Sequence, residues 1–409
     1  MPRSKIIRQN SEGNNGDPSM RQIELLTAER MSRLESKFRP LVIGVLPSKL
    51  VISAYSKGRS IFILKHNREL PAETFTPSCI FRRKFWGTTF RSPIMNAAGM
   101  FKNGEGYETA AMQGAGAYLA GTTTFNARPG NKKNGVKWPF VPYPGSHSAS
   151  NWMGLPNEGD YAVSRRMRDL KRVEGCPIGV SVTASPDLQG EEKLYALVKG
   201  MDLYQAAGVD FIEMNESCPN TGHGRLQDDA LSQRLLYVKN KFLDSRSRRP
   251  PVIVKFSNDT PSEQVPELVN LLIAYGFDGV NFGNTSINYA KRRENIAKSE
   301  RRMFDYFTST FGGGISGEPL KEDSLALCEA AVKQIKILEP AHEFNVVRTG
   351  GITDAADIRA SVRAGVLLNQ WFTGYFENFA EYGHTLYGQL YSQLLLDKEY
   401  SCAVFNGVR

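Results

Sequence analysis

Cys218 stands between two carboxamides in Asn215-Glu216-Ser217-Cys218-Pro219-Asn220, straight after a largely apolar run over 209–214 that reads as a buried strand. A thiolate there would serve as base or nucleophile once neighbouring groups lowered its pKa. Asn215 and Asn220 each offer two donors and an acceptor oxygen, enough to orient a flat ligand rich in heteroatoms. The plainer reading is a Pro-Asn turn around a structural cysteine, since an unpaired cysteine commonly packs as a small hydrophobe. A second set of residues points to phosphate. Arg348-Thr349-Gly350-Gly351 and Gln370-Trp371-Phe372-Thr373-Gly374 each end an apolar run, with Phe311-Gly-Gly-Gly-Ile-Ser-Gly317 ahead of them. Glycines let backbone N–H groups close around phosphate oxygens, and Thr373 adds a hydroxyl. Tight turns needing positive φ would explain the same glycines without a ligand.

Residues this far apart need a scaffold that gathers them. Eight short apolar or β-branched runs recur beyond residue 92, at 93–97, 115–123, 177–183, 209–215, 251–256, 279–284, 345–350 and 367–373. Helical patterns lie between them, among them 191–207, 228–243, 262–275, 321–338 and 355–364. Strands alternating with helices imply parallel pairing. Eight such repeats fit an α/β fold of the (β/α)8 TIM barrel type better than an open doubly wound sheet. Active sites in these barrels sit where strands end. Polar residues cluster at those ends: Lys102 after Ala97-Ala98-Gly99, then Thr122, Asn215 with Cys218, Lys255, and Asn284-Thr285. The stretch from 124 to 160 is too long for a plain connector and holds Asn151-Trp-Met-Gly-Leu-Pro-Asn157.

The 409 residues, 41% hydrophobic, suffice for one large domain plus an extension. Charge is uneven: residues 1–92 hold 17 Lys or Arg against 7 Asp or Glu, leaving 34 against 35 beyond them. The basic balance therefore belongs to the N-terminal part. No nucleic-acid-binding signature accompanies it, so nucleic acid is not an expected partner. Cysteines at 79, 176, 218, 328 and 402 form no CxxC pair and no zinc or iron–sulfur spacing, which predicts no metal and a reduced, cytoplasmic setting. Residues 1–20 are too polar to repay ordering and read as a disordered basic tail. Residues 21–85 read as a helical extension: a helix over 21–38, apolar runs at 41–46 and 50–55 split by Pro47-Ser48, and another at 61–64. None approaches the roughly 18 apolar residues of a membrane span. The extension either caps the barrel of residues 86–409 or lies on the inner face of a membrane with Lys49, Lys57, Arg59 and Lys65 outward.

Over residues 86–390 the sequence resembles the FMN-dependent dihydroorotate dehydrogenases. The resemblance rests on motifs in family order: Asn96-Ala-Ala-Gly-Met-Phe-Lys-Asn-Gly-Glu105, Gly121-Thr-Thr-Thr with Arg128-Pro-Gly-Asn131, the Asn151–Asn157 and Asn215–Asn220 segments, Val254-Lys255, Asn284-Thr285, Gly313–Gly317, Thr349–Gly351 and Gln370–Gly374. It implies FMN as cofactor and oxidation of dihydroorotate to orotate in de novo pyrimidine synthesis. Cys218 would take the C5 proton while hydride leaves C6 for flavin N5. Lys102, Asn151, Met153, Gly154, Leu155, Asn215, Asn220, Asn284 and Thr285 would hold the pyrimidine and its carboxylate. The flavin would lie against Ala97, Ala98, Gly99, Lys102, Thr122, Asn151, Ser181, Asn215 and Asn284, with Lys255 at its electron-rich edge. Its phosphate would rest on Ser316, Gly317, Gly350, Gly351, Phe372 and Thr373. By analogy with the family, two barrels would pair as a homodimer.

Within the family the features are mixed. Lys102 and the Arg128–Asn131 segment resemble the membrane-linked, quinone-using class, which normally carries serine as base. Cys218 and the Asn151–Asn157 segment resemble the soluble class, whose lysine falls where this chain has Gly121. Ser181 stands in place of an asparagine of the quinone-using class, and Phe372 in place of a tyrosine. The acceptor is therefore open among a quinone, fumarate and a partner flavoprotein that passes electrons to NAD. Other readings of the same residues are an FMN barrel for another dihydropyrimidine or dihydrouridine, a sugar-phosphate lyase with a Schiff base on Lys255, and a non-catalytic flavin-binding barrel. His223 reads as a loop residue, and Trp152 as either lining or packing.

Overall fold

The structure, a computed structural model, describes residues 27–216, 228–245 and 250–396. The tail expected to be disordered lies outside them. Helices α1 (Ala28–Val45) and α2 (Ser48–His66) come first, then a hairpin of Arg83–Phe85 with Thr88–Phe90. Eight strands follow: β1 (Ile94–Asn96), β2 (Tyr118–Thr123), β3 (Ile178–Val182), β4 (Phe211–Asn215), β5 (Val252–Phe256), β6 (Gly279–Phe282), β7 (Asn345–Thr349) and β8 (Leu368–Trp371). The first five lead into α3 (Tyr107–Gln113), α4 (Asp160–Arg168), α5 (Gly190–Ala207), α6 (Asp228–Val238) and α7 (Val265–Ala274). Three helices follow β6: α8 (Tyr289–Glu294), α9 (Arg301–Thr310) and α10 (Lys321–Leu338). After β7 comes α11 (Ala355–Arg363), and after β8 come α12 (Thr373–Tyr382) and α13 (Leu386–Leu395).

The strands pair in parallel in the order β1-β8-β7-β6-β5-β4-β3-β2, which is the expected (β/α)8 barrel. A side chain closes the seam between β1 and β2. The buried Asn96 amide donates to Leu119 O at 2.7 Å and accepts from Leu119 N–H at 3.1 Å, so it stands in for a peptide group. Gly99 N–H then donates to Gly121 O at 2.6 Å.

Side chains alternate across each strand, so one face of every strand fills the barrel in layers. Met95, Leu119, Phe211, Ile253, Val347 and Leu368 form an apolar floor, plugged from below by Phe85 and Phe90 of the hairpin. Two residues further along the same strands come Glu213, Lys255, Thr349 and Gln370, a polar layer on which any ligand at the strand ends would rest.

Two insertions build a lid. Phe140–Tyr143 and Ser148–Asn151 come from the segment after β2, Gly314–Gly317 from the segment after β6, and together they form a three-stranded antiparallel sheet with Ser148–Asn151 in the centre. The glycine-rich 311–317 stretch thus ends in a strand, where its composition suggested only turns. Helix α2 packs on Phe140–Tyr143 and α1 on α12, so the helical pair lies beside the barrel mouth. Helix α1 runs seven residues past the expected end at residue 38, straight through Pro40. Ile43 lies on the same side as the buried Ala28 and Ser32, and its burial offsets the backbone bond that Pro40 cannot donate.

Candidate active site

Each strand end delivers a few residues to one cavity at the barrel mouth. It is lined by Ala97, Ala98, Gly99 and Lys102 after β1, Thr122 of β2, Asn215 of β4, Lys255 of β5, and Asn284 and Thr285 after β6. Thr349, Gly350 and Gly351 join from β7, and Gln370 to Gly374 from β8. The lid adds Phe140, Asn151, Met153, Leu155, Ser316 and Gly317. Nearly all the site residues expected from sequence meet here. Ser181 lies just behind the wall, where its hydroxyl meets Thr122 Oγ1 at 2.9 Å. Gly154 sits between two lining residues at φ 71°, and a Cβ there would lie 2.2 Å from Asn131 Oδ1. Cys218, Asn220 and His223 fall outside the described residues, although β4 ends three residues before Cys218.

A row of polar side chains crosses the floor. Thr122 Oγ1 accepts from Asn215 Nδ2 at 3.0 Å, and Asn215 Oδ1 accepts from Asn284 Nδ2 at 3.3 Å. Thr285 N–H in turn donates to Asn284 Oδ1 at 2.8 Å. Such mutual bonding fixes which way each amide points. Thr285 Oγ1 is buried without a hydrogen-bond partner, a polar atom with capacity to spare for a ligand.

Beneath them lies a charged pair that sequence reading did not single out. Lys255 Nζ is 3.4 Å from Glu213 Oε1 and donates to Gln370 Oε1 at 3.2 Å. Glu213 Oε2 accepts from Asn281 and from Gln370, each at 2.8 Å. Both charged side chains are almost wholly buried. One signal was available: Glu213 interrupts an apolar strand at the position two before Asn215, which puts both on the inward face.

The glycine turns are built as a phosphate cradle requires. Gly350 and Gly351 have φ of 123° and 69°, and a Cβ on Gly351 would lie 2.4 Å from Lys321 Cα. Ser316 Oγ meets Thr373 Oγ1 at 2.9 Å, which joins the lid to the first residue of α12. The first N–H groups of a helix have no intrahelical partner and favour an anion.

A second, mainly apolar chamber opens between the helical pair and the barrel. Val42, Ala54, Phe62, Ile63, Pro142 and Phe376 line it, with Glu35, Arg39, Tyr55 and Glu377 among its polar residues. Arg59, Phe140, Phe372 and Thr373 line both chambers and form their junction. Arg59, which the membrane-surface reading placed outward beside Lys57, turns inward, because one helical turn places it with Tyr55 and Phe62. Its guanidinium lies over the Phe140 ring, 5.6 Å from the centroid, and burial pushes its pKa down to about 10.

Comparisons with known proteins fit this geometry. A family model described as dihydroorotate dehydrogenase matches residues 80–390. The dihydroorotate dehydrogenase (quinone) of Alkalilimnicola ehrlichii is 29% identical over 302 residues, 72% of this chain and 81% of that protein. The protein of the same name from an Arthrobacter species is 30% identical over 314 residues, 74% of this chain and 83% of its own. Among solved structures, ligand-free DHODH from Eimeria tenella superposes with a TM-score of 0.65 at 22% identity, covering 85% of this chain and 93% of that one.

Proposed function

Because the chain belongs to the dihydroorotate dehydrogenase family, we propose that it holds FMN in the mouth cavity, oxidises dihydroorotate to orotate there, and passes the electrons to a quinone in the apolar chamber. The observation that carries this reading is the junction, at which a polar, glycine-cradled cavity and an apolar chamber share Arg59, Phe140, Phe372 and Thr373. The residues present suit the cofactor. Gly99, at φ 98°, leaves room that a Cβ would occupy, with only the Phe372 ring edge nearby at 3.6 Å. Ser316, Gly317, Gly350, Gly351 and Thr373 would hold the phosphate, and Lys255 would face the electron-rich edge of the ring. Bound there, FMN would take hydride from C6 of dihydroorotate and hand the electrons on.

The chain's own groups do the rest. Lys102 would neutralise the substrate carboxylate, while Asn151, Asn215, Asn220 and Asn284 would read the donors and acceptors of the ring. Thr285 would satisfy its buried hydroxyl on the same ligand. Cys218 would remove the C5 proton, which requires its pKa to be lowered by the surrounding donors. This is the redox step of de novo pyrimidine synthesis.

The quinone reading draws on the names of the relatives and on the chamber itself. A route to the membrane follows from the outer faces of α1 and α2. Leu34, Phe38, Leu41 and Val45, with Leu50, Ile61 and Leu64, are each 47% to 68% exposed, and Lys49 and Lys57 lie among them. No helix among the described residues is long and apolar enough to cross a membrane. A peripheral seat in the lipid interface would bring the chamber to its acceptor.

The visible spectrum, followed by anaerobic dihydroorotate, tests the first half. Flavin absorbance should bleach, and Cys218→Ala should slow the bleaching by about a hundredfold or more. A flavin that stays oxidised would refute the substrate, and a protein that cannot bind added FMN would refute the whole reading.

A further inference from the structure

Glu377 occupies the acceptor chamber in a way that the electron route alone does not use. It lies on α12 four residues past Thr373, one helical turn from the junction, and its side chain lines the chamber. Its Oε2 is 3.4 Å from Nδ1 of His147; the His147 side chain is 58% exposed and that of Glu377 only 20%. The pair therefore links an apolar interior to water. The chamber's other carboxylate is already engaged, since Glu35 is held by Arg39 at 2.5 Å and accepts from the Tyr55 hydroxyl at 2.8 Å.

Proton balance gives this link a task, on the premise that the acceptor is a quinone. Reducing a quinone to the quinol takes two electrons and two protons. The hydride taken from C6 amounts to two electrons and one proton, while the C5 proton of the substrate leaves on the pyrimidine side. One proton is missing at the acceptor, and a quinol oxyanion among Val42, Phe62, Ile63 and Phe376 would be costly. We propose that Glu377 donates this proton to the reduced acceptor and regains it from bulk water through His147. The carboxyl O–H bond breaks, the second quinol O–H bond forms, and no electron moves in the step. The carboxylate then takes a proton from His147, which takes one from water.

The groups around Glu377 suit the role. Burial raises its pKa above the ordinary glutamate value, while His147 and Arg39 oppose the rise and Glu318 adds to it. Glu35, Tyr55 and Arg59 share the chamber wall. A carboxyl that keeps its proton closer to neutrality makes the better general acid.

The test uses holoenzyme reduced with dihydroorotate and mixed rapidly with either a short-chain ubiquinone or ferricyanide, which takes electrons without protons. Glu377→Gln should slow reoxidation by the quinone about tenfold or more and flatten its pH dependence. Ferricyanide reoxidation and bleaching by dihydroorotate should stay at wild-type rates. Glu377→Asp should recover part of the loss, and His147→Gln should be rescued by imidazole in the buffer. Infrared spectra should show a protonated-carboxyl stretch that Glu377→Gln lacks. Wild-type quinone kinetics in Glu377→Gln, or an equal loss with ferricyanide, would overturn the proposal. If the unsubstituted reduced protein ignores quinone altogether, the acceptor reading itself falls, and this proposal with it.

Discussion

Lys255 carries a charge into the barrel interior, and Glu213 makes that tolerable. An isolated ammonium there would face a desolvation cost of several kcal/mol, which the carboxylate at 3.4 Å and the Gln370 acceptor offset. Glu213→Gln removes the countercharge and keeps the shape. It should lower the unfolding free energy by about 3 kcal/mol in chemical denaturation; a loss below about 1 kcal/mol would mean that the Glu213 countercharge contributes little to the fold. Gly351→Ala probes the cradle, because its Cβ would sit 2.4 Å from Lys321 Cα at a φ of 69°. FMN release followed by fluorescence should show at least tenfold weaker binding, about 1.4 kcal/mol, with the strand core intact. These residues differed in legibility. Lys255 and the glycine turns stand at strand ends, where a barrel puts its chemistry, so position alone marked them. Glu213 sits mid-strand, and only the pairing of β4 with β5 shows that its neighbour is a lysine.

Helix α2 is fastened to the barrel by a buried polar chain at its last residue. His66 Nε2 meets the Tyr375 hydroxyl at 2.7 Å, Tyr375 donates to Gln113 at 2.9 Å, and Gln113 meets His384 at 2.9 Å. Burial holds the His66 pKa down to about 4, against an ordinary value of 6.5. The unfolded chain therefore binds a proton at a higher pH than the folded one. Stability is complete above about pH 6.5 and declines as pH falls toward 4, by about 3 kcal/mol from this group if the shift is fully expressed. Thermal unfolding across that window should show the decline, and His66→Gln should remove most of the slope at some cost in stability at neutral pH. An unchanged slope would assign the pH dependence to other groups. At this scale the sequence was a partial guide. A helical extension was legible, but its reading as a helix ending at 38 followed by separate apolar runs missed that two helices, 28–45 and 48–66, cover nearly all of it. The third lid strand was hidden because Gly314–Gly317 pairs with Ser148–Asn151 across some 160 residues of chain, a register that no local pattern encodes.

At the scale of the whole molecule, two chambers share one wall. Eight strands with polar ends made the barrel and its mouth legible, since that alternation recurs along the chain. The second chamber was not legible, because it forms only where helices at 28–66 meet the lid at 140–149 and residues 372–377, three segments far apart in sequence. What the amphipathic runs did suggest is a lipid-facing surface, and the exposed stripe on α1 and α2 lies on the outer side of that same chamber. A quinone with a long tail would stay in the bilayer while its head entered between the two helices. Replacing Phe38, Leu41 and Leu64 with glutamate should then separate docking from chemistry. Each large apolar side chain contributes about 1.5–3 kcal/mol when fully buried, so vesicle binding should weaken by at least about a hundredfold. Turnover with long-chain ubiquinone in vesicles should fall in step, whereas a water-soluble analogue should be reduced at the wild-type rate because the chamber wall is unaltered. Vesicle binding unchanged by the three glutamates would detach the stripe from the membrane and leave the chamber to be filled from solution.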